Sequence, residues 1–192
     1  LKSNRLAVLV LGGSQGAQAL NESVPRAVQL AVKAGLALSV VHQTGRDREA
    51  AVKALYAELG VADVSVVPFI DDVAQALGAA DVVIERAGAS SLAELCAVGR
   101  PSILIPYPFA ADDHQHKNAV SLEKAGAAVA LAQPVATPAR IAAELGRLAR
   151  DPERRARMAK AAAALGKPDA ALSVARDLLD LVRARAAARE AS

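Results

Sequence analysis

The sequence predicts an α/β protein with a Rossmann-like, doubly wound parallel sheet of six strands flanked by helices. Short aliphatic runs alternate with helical patterns over the first two thirds of the chain, as in repeated βα units. Of the 192 residues, 53% are hydrophobic and only 2% are aromatic, which suits an aliphatic core around buried parallel strands. Right-handed crossovers between six such strands favour the order 3-2-1-4-5-6.

Six strands and five connecting helices are predicted in order along this part of the chain. The strands are runs rich in Val, Leu, Ile and Ala at residues 6–11, 36–42, 64–68, 81–85, 102–106 and 128–131. The helices between them are predicted at residues 17–34, 47–59, 72–79, 89–98 and 114–125. Four of these helices are followed by a glycine that can adopt a left-handed cap conformation. These glycines are Gly35, Gly60, Gly99 and Gly126.

Three consecutive helices are predicted after the sheet, at residues 138–150, 152–165 and 169–189, each with a proline at or near its start. The last one carries an apolar stripe at three- and four-residue steps. This stripe consists of Leu172, Ala175, Leu179, Val182 and Ala186. The chain is therefore divided into a ligand-binding domain, residues 1–165, and a terminal amphipathic helix, residues 166–192, whose packing is left open.

Composition excludes several classes of protein. The single cysteine, Cys96, rules out an internal disulfide and a cysteine-based zinc cluster. The net charge of +3 reflects a basic C-terminal region without interleaved aromatic residues, which argues against nucleic-acid binding. No apolar run approaches the roughly 20 residues that span a bilayer, and no signal peptide opens the chain. Because the first residue is Leu1, we expect the chain to be cut from a longer one.

Two loops rich in small residues follow strands 1 and 4, between which the predicted strand order reverses. Residues 12–16, Gly-Gly-Ser-Gln-Gly, leave backbone N–H groups open to a phosphate, although a tight strand-to-helix turn explains them equally well. After strand 4, Gly88 precedes a helix whose free N–H groups and dipole favour an anion. Ligands bind at such a reversal in open α/β sheets, so both loops are expected to face one crevice.

Two neighbouring segments have two interpretations each. Glu94, about one turn into the helix after Gly88, can accept hydrogen bonds from ribose hydroxyls or simply complement the helix dipole. After strand 3, Phe69 and Ile70 can form a wall and main-chain contacts for a nucleotide base. The alternative, favoured on the residues alone, places both in the core beside an aspartate that caps the next helix.

A polar loop, residues 106–118, follows strand 5. It contains four residues of metal-ligating type, Asp112, Asp113, His114 and His116. The two histidines are two positions apart and diverge on a helix, so no metal site is predicted. Gln115 and Asn118 lie on one helical face and suit sugar hydroxyls better. Elsewhere, His42 is interpreted as a hydrogen-bonded histidine, buried or at the sheet edge, rather than a general base, and Cys96 as a packing residue.

Five motifs in order resemble successive motifs of the C-terminal domain of the MurG family. They are residues 12–17, 42–45, 69–72, 86–94 and 113–119, and residues 122–128 continue the similarity. The resemblance covers about residues 6–133 and implies the C-terminal half of a two-domain GT-B glycosyltransferase. In that family the enzyme is peripheral on the cytoplasmic face of the plasma membrane. It transfers N-acetylglucosamine (GlcNAc) from UDP-GlcNAc to lipid I in peptidoglycan synthesis.

The resemblance also implies roles for individual residues. Ser14 and the glycine backbone would contact the diphosphate, the Ile70 main chain would pair with uracil, and Glu94 would hold the ribose. Gln115, with His114, would recognise GlcNAc, although His114 departs from the glutamine of some members. The complete donor-binding set is Gly13, Ser14, Gln15, Gly16, Phe69, Ile70, Arg86, Gly88, Ala89, Ser90, Ser91, Glu94, His114, Gln115 and Asn118. No catalytic residue, metal or cofactor is expected in this chain.

The acceptor-binding half of the family does not occur in this sequence. We therefore expect a donor-binding fragment that is inactive alone. Its expected partners are UDP or UDP-GlcNAc, the missing acceptor domain with lipid I, and a possible second copy through the terminal helix. The alternatives are a separate donor-binding subunit of a two-chain transferase, an epimerase-type GT-B domain, and a nucleotide-binding module without a catalytic parent.

Overall fold

A computed structural model of the chain describes residues 5–13 and 16–190, with side chains as far as residue 183. Its strands are β1 (Leu6–Leu11), β2 (Leu38–Gln43), β3 (Val64–Val67), β4 (Val82–Glu85), β5 (Ser102–Leu104) and β6 (Ala128–Ala130). They form one parallel sheet in the order β3-β2-β1-β4-β5-β6, which confirms the predicted topology. Strand β5 ends two residues earlier than predicted, since Pro106 has no N–H for a strand ladder.

The predicted helices are all present, with ends that differ by two residues or fewer. They are α1 (Gln18–Lys33), α2 (Glu49–Glu58), α3 (Val73–Ala79), α4 (Ala89–Val98), α5 (His114–Lys124), α6 (Pro138–Arg150), α7 (Pro152–Leu165) and α8 (Ala170–Glu190). Short 3₁₀ turns at Ala111–Asp113 and Gln133–Val135 follow β5 and β6. The four predicted cap glycines have positive φ angles between 70° and 85°, as a left-handed cap requires.

The core has two layers, one on each face of the sheet. Side chains alternate along a strand, so Val8 and Val10 of β1 pack with α1, α2 and α6. Leu9 and Leu11 face the opposite layer, which α3, α4 and α5 cover. Helix α7 contributes a buried residue to each layer. Aliphatic burial on both faces explains the continuous apolar runs of the central strands and stabilises the fold.

Helix α8 leaves its apolar side chains in contact with solvent. Leu172, Leu179 and Val182 of the predicted stripe are 50%, 55% and 66% exposed, while the side chain of Ala186 lies outside the described residues. The division of the chain at residue 165 remains a prediction. In the part of the chain that the structure describes, no helix has the length and apolar character needed to cross a membrane.

Candidate functional site

The loop after β1 runs tightly against the end of β2. The Gly12 N–H donates to the Gln43 carbonyl oxygen at 3.1 Å. A Cβ atom on Gly16 would lie 2.2 Å from the Thr44 carbonyl oxygen, and the φ angle of Gly16 is +73°. Only glycine fits there, so the loop keeps its backbone close to the sheet edge. Ser14 and Gln15 lie outside the described residues.

The loop after β4 leads directly into the N-terminus of α4. Gly88 is the N-cap of this helix and supplies no side-chain hydrogen bond. The next residues, Ala89 and Ser90, are exposed, and Ser91 is half-buried. The first N–H groups of α4 therefore have no side-chain cap, and together with the helix dipole they favour an anion.

A cavity of about 620 Å³ opens at the carboxyl edge of the sheet and adjoins both the β1 loop and the β4 loop. It is lined by Gly12, Gly16, Ala17, Gln18, Ala19, Glu22, Arg86, Tyr107, Gln115 and Gln133. Three predicted donor-binding residues thus reach one cavity from separate elements: Gly16 from the β1 loop, Arg86 from the β4 loop and Gln115 from α5. This is the crevice that the reversal in strand order predicts.

Arg86 is held in a fixed position beside this cavity. Its guanidinium donates to the Ile105 carbonyl oxygen at 2.9 Å and the Pro106 carbonyl oxygen at 3.2 Å. The guanidinium carbon also lies 5.5 Å from the centre of the Tyr107 ring. Burial lowers the pKa of Arg86, but an arginine remains protonated in proteins, so Arg86 gives the cavity a positive charge.

The predicted sugar-binding residues on α5 already make contacts within the chain. The Gln115 side-chain oxygen accepts from the Tyr107 N–H at 3.0 Å, which leaves the Gln115 amide N–H groups for a ligand. The Asn118 side-chain amide donates to the Ala87 carbonyl oxygen at 3.1 Å. His114 is exposed, and its Nδ1 lies 2.7 Å from the Ala111 carbonyl oxygen. Asn118 therefore braces the loop before α4, a role that its spacing alone does not reveal.

Glu94 lines a second cavity, of about 650 Å³, between α3 and α4. Its side chain is exposed and has no hydrogen-bond partner among the described residues.

Asp72 caps α3 by accepting from the Gln75 N–H at 2.8 Å, so the predicted aspartate cap is confirmed. Phe69 is 51% exposed, which makes the core interpretation wrong for this residue, whereas Ile70 is partly buried against the α3–α4 layer. Phe69 and Ile70 follow β3 at the same sheet edge, next to this cavity.

His42 is fully buried, as predicted, and belongs to the interior rather than to the cavity. Its Nδ1 lies 3.0 Å from the Tyr56 hydroxyl, and its Nε2 lies 3.1 Å from the Asn21 side-chain oxygen. Burial lowers the pKa of His42 to about 4, so the ring is neutral at pH 7. Cys96 is buried in the core, also as predicted.

Two residues near the site were not identified from the sequence. Gln133 lines the first cavity, and its buried side-chain oxygen has no hydrogen-bond partner among the described residues. Its place in the turn that follows β6, at the same carboxyl edge, is the signal that points to it. Glu85 ends β4 and is 1% exposed, and neither of its carboxyl oxygens has a partner in the described part of the chain. Burial, with a smaller contribution from Glu94, raises the pKa of Glu85 to about 8.

The polar loop after β5 forms no metal cluster in the described residues. No group of three or more His, Cys, Asp or Glu side chains there is placed to hold a metal ion. Asp112 and Asp113 instead adopt positive φ angles of 50° and 53° in the turn before α5.

The fold and the crevice define a class of protein. An open parallel sheet of this order, with glycine loops and a helix N-terminus at its switch point, is typical of nucleotide-binding α/β domains, a class that includes the C-terminal half of GT-B glycosyltransferases. Residues 7–174 match the family model described as the glycosyltransferase family 28 C-terminal domain. The chain belongs to this family.

Individual relatives agree with this assignment. The chain is 68% identical over 184 residues to the UDP-N-acetylglucosamine--N-acetylmuramyl-(pentapeptide) pyrophosphoryl-undecaprenol N-acetylglucosamine transferase of Sorangium cellulosum, covering 95% of the chain and 45% of that protein. It is 47% identical to the protein of the same name from Marinobacter nauticus, covering 93% and 49%. The crystal structure of Acinetobacter baumannii MurG aligns with a TM-score of 0.82 and 34% identity, covering 95% and 50%. The chain spans about half the length of the relatives it matches.

Proposed function

We propose that this chain is the donor-binding half of an N-acetylglucosaminyltransferase. The enzyme would transfer GlcNAc from UDP-GlcNAc to an undecaprenyl-linked muramyl acceptor, lipid I, in peptidoglycan synthesis. The names of the relatives support both substrates. The observation that carries the proposal is the crevice, in which Gly16, Arg86 and Gln115 meet at the switch point of the sheet.

The diphosphate of the donor would lie between the β1 loop and the N-terminus of α4. The α4 N–H groups carry no side-chain cap, and Arg86, in the loop that leads into α4, adds a fixed positive charge to the crevice. Negative charge grows on UDP as the bond to GlcNAc breaks. Donors and charges that are already oriented stabilise this leaving group without reorganising during the reaction.

The nucleoside and the sugar would extend to opposite sides of the diphosphate. Uracil would pair with the Ile70 main chain near Phe69, and the ribose hydroxyls would donate to Glu94, which is exposed and unpartnered among the described residues. On the other side, the free N–H groups of the Gln115 amide, with His114 nearby, would contact the GlcNAc hydroxyls.

The acceptor and its general base would come from the other half of the enzyme. Glu85 and His42 are both fully buried, so neither is placed to take a proton from an acceptor in the crevice. The chain alone is therefore expected to bind donor without transferring sugar. The proposed donor binding requires no metal or cofactor.

The test has two parts: it compares the affinities of the chain for different nucleotides, and it then measures whether the chain transfers GlcNAc. UDP and UDP-GlcNAc should bind the purified chain more tightly than ADP or CDP, as measured by competition with a fluorescent UDP analogue. With labelled UDP-GlcNAc and lipid I, the chain should form no lipid-linked disaccharide. Equal binding of all diphosphates would contradict the uracil assignment, and disaccharide formation would contradict the need for a second half.

A further inference from the structure

A second charged cavity lies beside the edge strand β6. It has a volume of about 720 Å³ and lies between the α5–β6 turn, α6 and α7. It is lined by Glu123, Ala125, Gly126, Ala128, Val129, Arg140, Glu144, Arg147, Arg154, Arg157, Met158 and Ala161. The turn at Ala125 and Gly126 precedes the amino end of β6, whereas the donor crevice lies at the carboxyl ends of the strands. The two cavities have no lining residue in common.

Each carboxylate in this cavity has one oxygen that is already engaged, and the other oxygen of Glu144 is buried without a hydrogen-bond partner among the described residues. One oxygen of Glu123 accepts from the Ala130 N–H at 2.9 Å and so protects the open edge of β6. Glu144 is 1% exposed, and the same oxygen of its carboxylate lies 2.6 Å from the Arg147 guanidinium and 3.3 Å from that of Arg140. One buried carboxylate thus orients two arginines at the cavity wall.

Positive charge remains after this pairing. Four arginines face two glutamates in the lining. Arg154 is a half-buried residue, and its guanidinium has no ion-pair or hydrogen-bond partner among the side chains and carbonyls that the structure describes. Arg157 reaches Asp151 and Glu153 only at 3.9 Å and 3.8 Å, with most of its side chain exposed.

We propose that this cavity is a binding site for a phosphate group, separate from the donor crevice. Guanidinium groups recognise phosphate oxygens with paired N–H donors, and those that neighbouring groups already hold in place lose less entropy on binding. The cavity exceeds the volume of a phosphate ion, and Val129 and Met158 give it an apolar wall. The site therefore suits a phosphate ester with an apolar group. This inference does not depend on the donor function.

Arg154→Gln is the decisive variant because it removes the arginine whose guanidinium has no partner among the described residues. Lys160→Gln is the matched control, since Lys160 is an exposed cation on the same helix that does not line the cavity. Inorganic pyrophosphate is titrated into ¹⁵N-labelled chain at constant ionic strength. The amide shifts of Gly126, Ala128 and Met158 report this cavity, and those of Gly16 and Gly88 report the donor crevice.

Saturable shifts at Gly126, Ala128 and Met158 are expected, with a dissociation constant raised about tenfold or more in Arg154→Gln and unchanged in Lys160→Gln. Absence of saturable shifts there, or equal weakening in both variants, would overturn the proposal. Sedimentation with phosphatidylglycerol vesicles then separates two sources of phosphate. Retention that Arg154→Gln abolishes identifies a lipid headgroup, whereas saturable shifts without retention identify a soluble phosphate ester.

Discussion

The side-chain amide of Asn118 on α5 donates a hydrogen bond of 3.1 Å to the carbonyl oxygen of Ala87, one residue before the N-cap of α4. This bond joins the helix that carries Gln115 to the loop that presents the α4 N-terminus. The sugar side and the diphosphate side of the proposed site are thus held in one arrangement. Positioning of this kind matters because small displacements of binding groups weaken recognition.

Replacing Asn118 with aspartate should weaken donor binding. Asn118→Asp keeps the shape of the side chain, but its carboxylate cannot donate and faces the Ala87 carbonyl oxygen. We expect about tenfold weaker binding of UDP-GlcNAc and a loss of about 1–3 kcal/mol in the free energy of unfolding. Calorimetry and urea unfolding measure the two effects. Asn118→Ala, which removes the bond without adding a charge, should show a smaller loss, and unchanged binding in both variants would contradict the bracing role.

Gly16 and Gly13 form a matched pair for the β1 loop. Both have positive φ angles, +73° and +75°, but a Cβ atom on Gly13 meets no atom of the described residues within 4 Å, whereas one on Gly16 meets the Thr44 carbonyl oxygen. Gly13→Ala should therefore cost about 1–2 kcal/mol of stability from backbone strain alone. Gly16→Ala should cost about 1–3 kcal/mol more, because the loop must move. Urea unfolding of both variants tests this order, and equal losses would show that the close approach to Thr44 is not needed.

The buried carboxyl of Glu85 should make stability fall as the pH rises. Burial raises its pKa from 4.5 to about 8, so the folded chain holds a proton that the unfolded chain releases. The contribution of protonated Glu85 to the free energy of unfolding is complete below about pH 4.5 and is lost as the pH rises through about 8. The Gln side chain of Glu85→Gln cannot ionise, so this variant should lose less stability than the wild type when the pH is raised from 5 to 9. Thermal unfolding of both chains at each pH measures the difference. Glu58→Gln, an exposed change on α2, should follow the wild type.

The contribution of His42 to stability should have the opposite dependence on pH. Its pKa is lowered from 6.5 to about 4, so protons bind the unfolded chain more readily than the folded one. Stability is therefore complete above about pH 6.5 and falls as the pH decreases towards 4. The ring signals of His42 in an NMR titration should stay those of a neutral imidazole down to about pH 5. A His42 midpoint near 6.5 would contradict this account.

The sequence predicts the strands, the helices and the position of the crevice, because these depend on hydrophobic period, on glycine caps and on the rule for strand order. Prediction fails where the outcome depends on the direction of a single side chain after a strand ends. Phe69 follows β3 and turns outward, although its apolar character favours the core. Glu85 carries an ionisable side chain but is buried, because it ends the central strand β4, which is covered on both faces. The partner of Asn118 depends on how α5 packs on a loop 31 residues away.

The central claim is that the switch-point crevice and Glu94 hold a uridine diphosphate. Calorimetric titration of UDP into the wild type, Glu94→Ala and Glu58→Ala tests it most directly, since both variants remove one exposed carboxylate and only Glu94 borders the proposed ribose site. The account predicts saturable binding by the wild type and by Glu58→Ala. It predicts binding at least about tenfold weaker in Glu94→Ala, from the loss of charge-assisted hydrogen bonds. Equal affinity of Glu94→Ala and the wild type, with both chains folded, would contradict the assignment of the donor site.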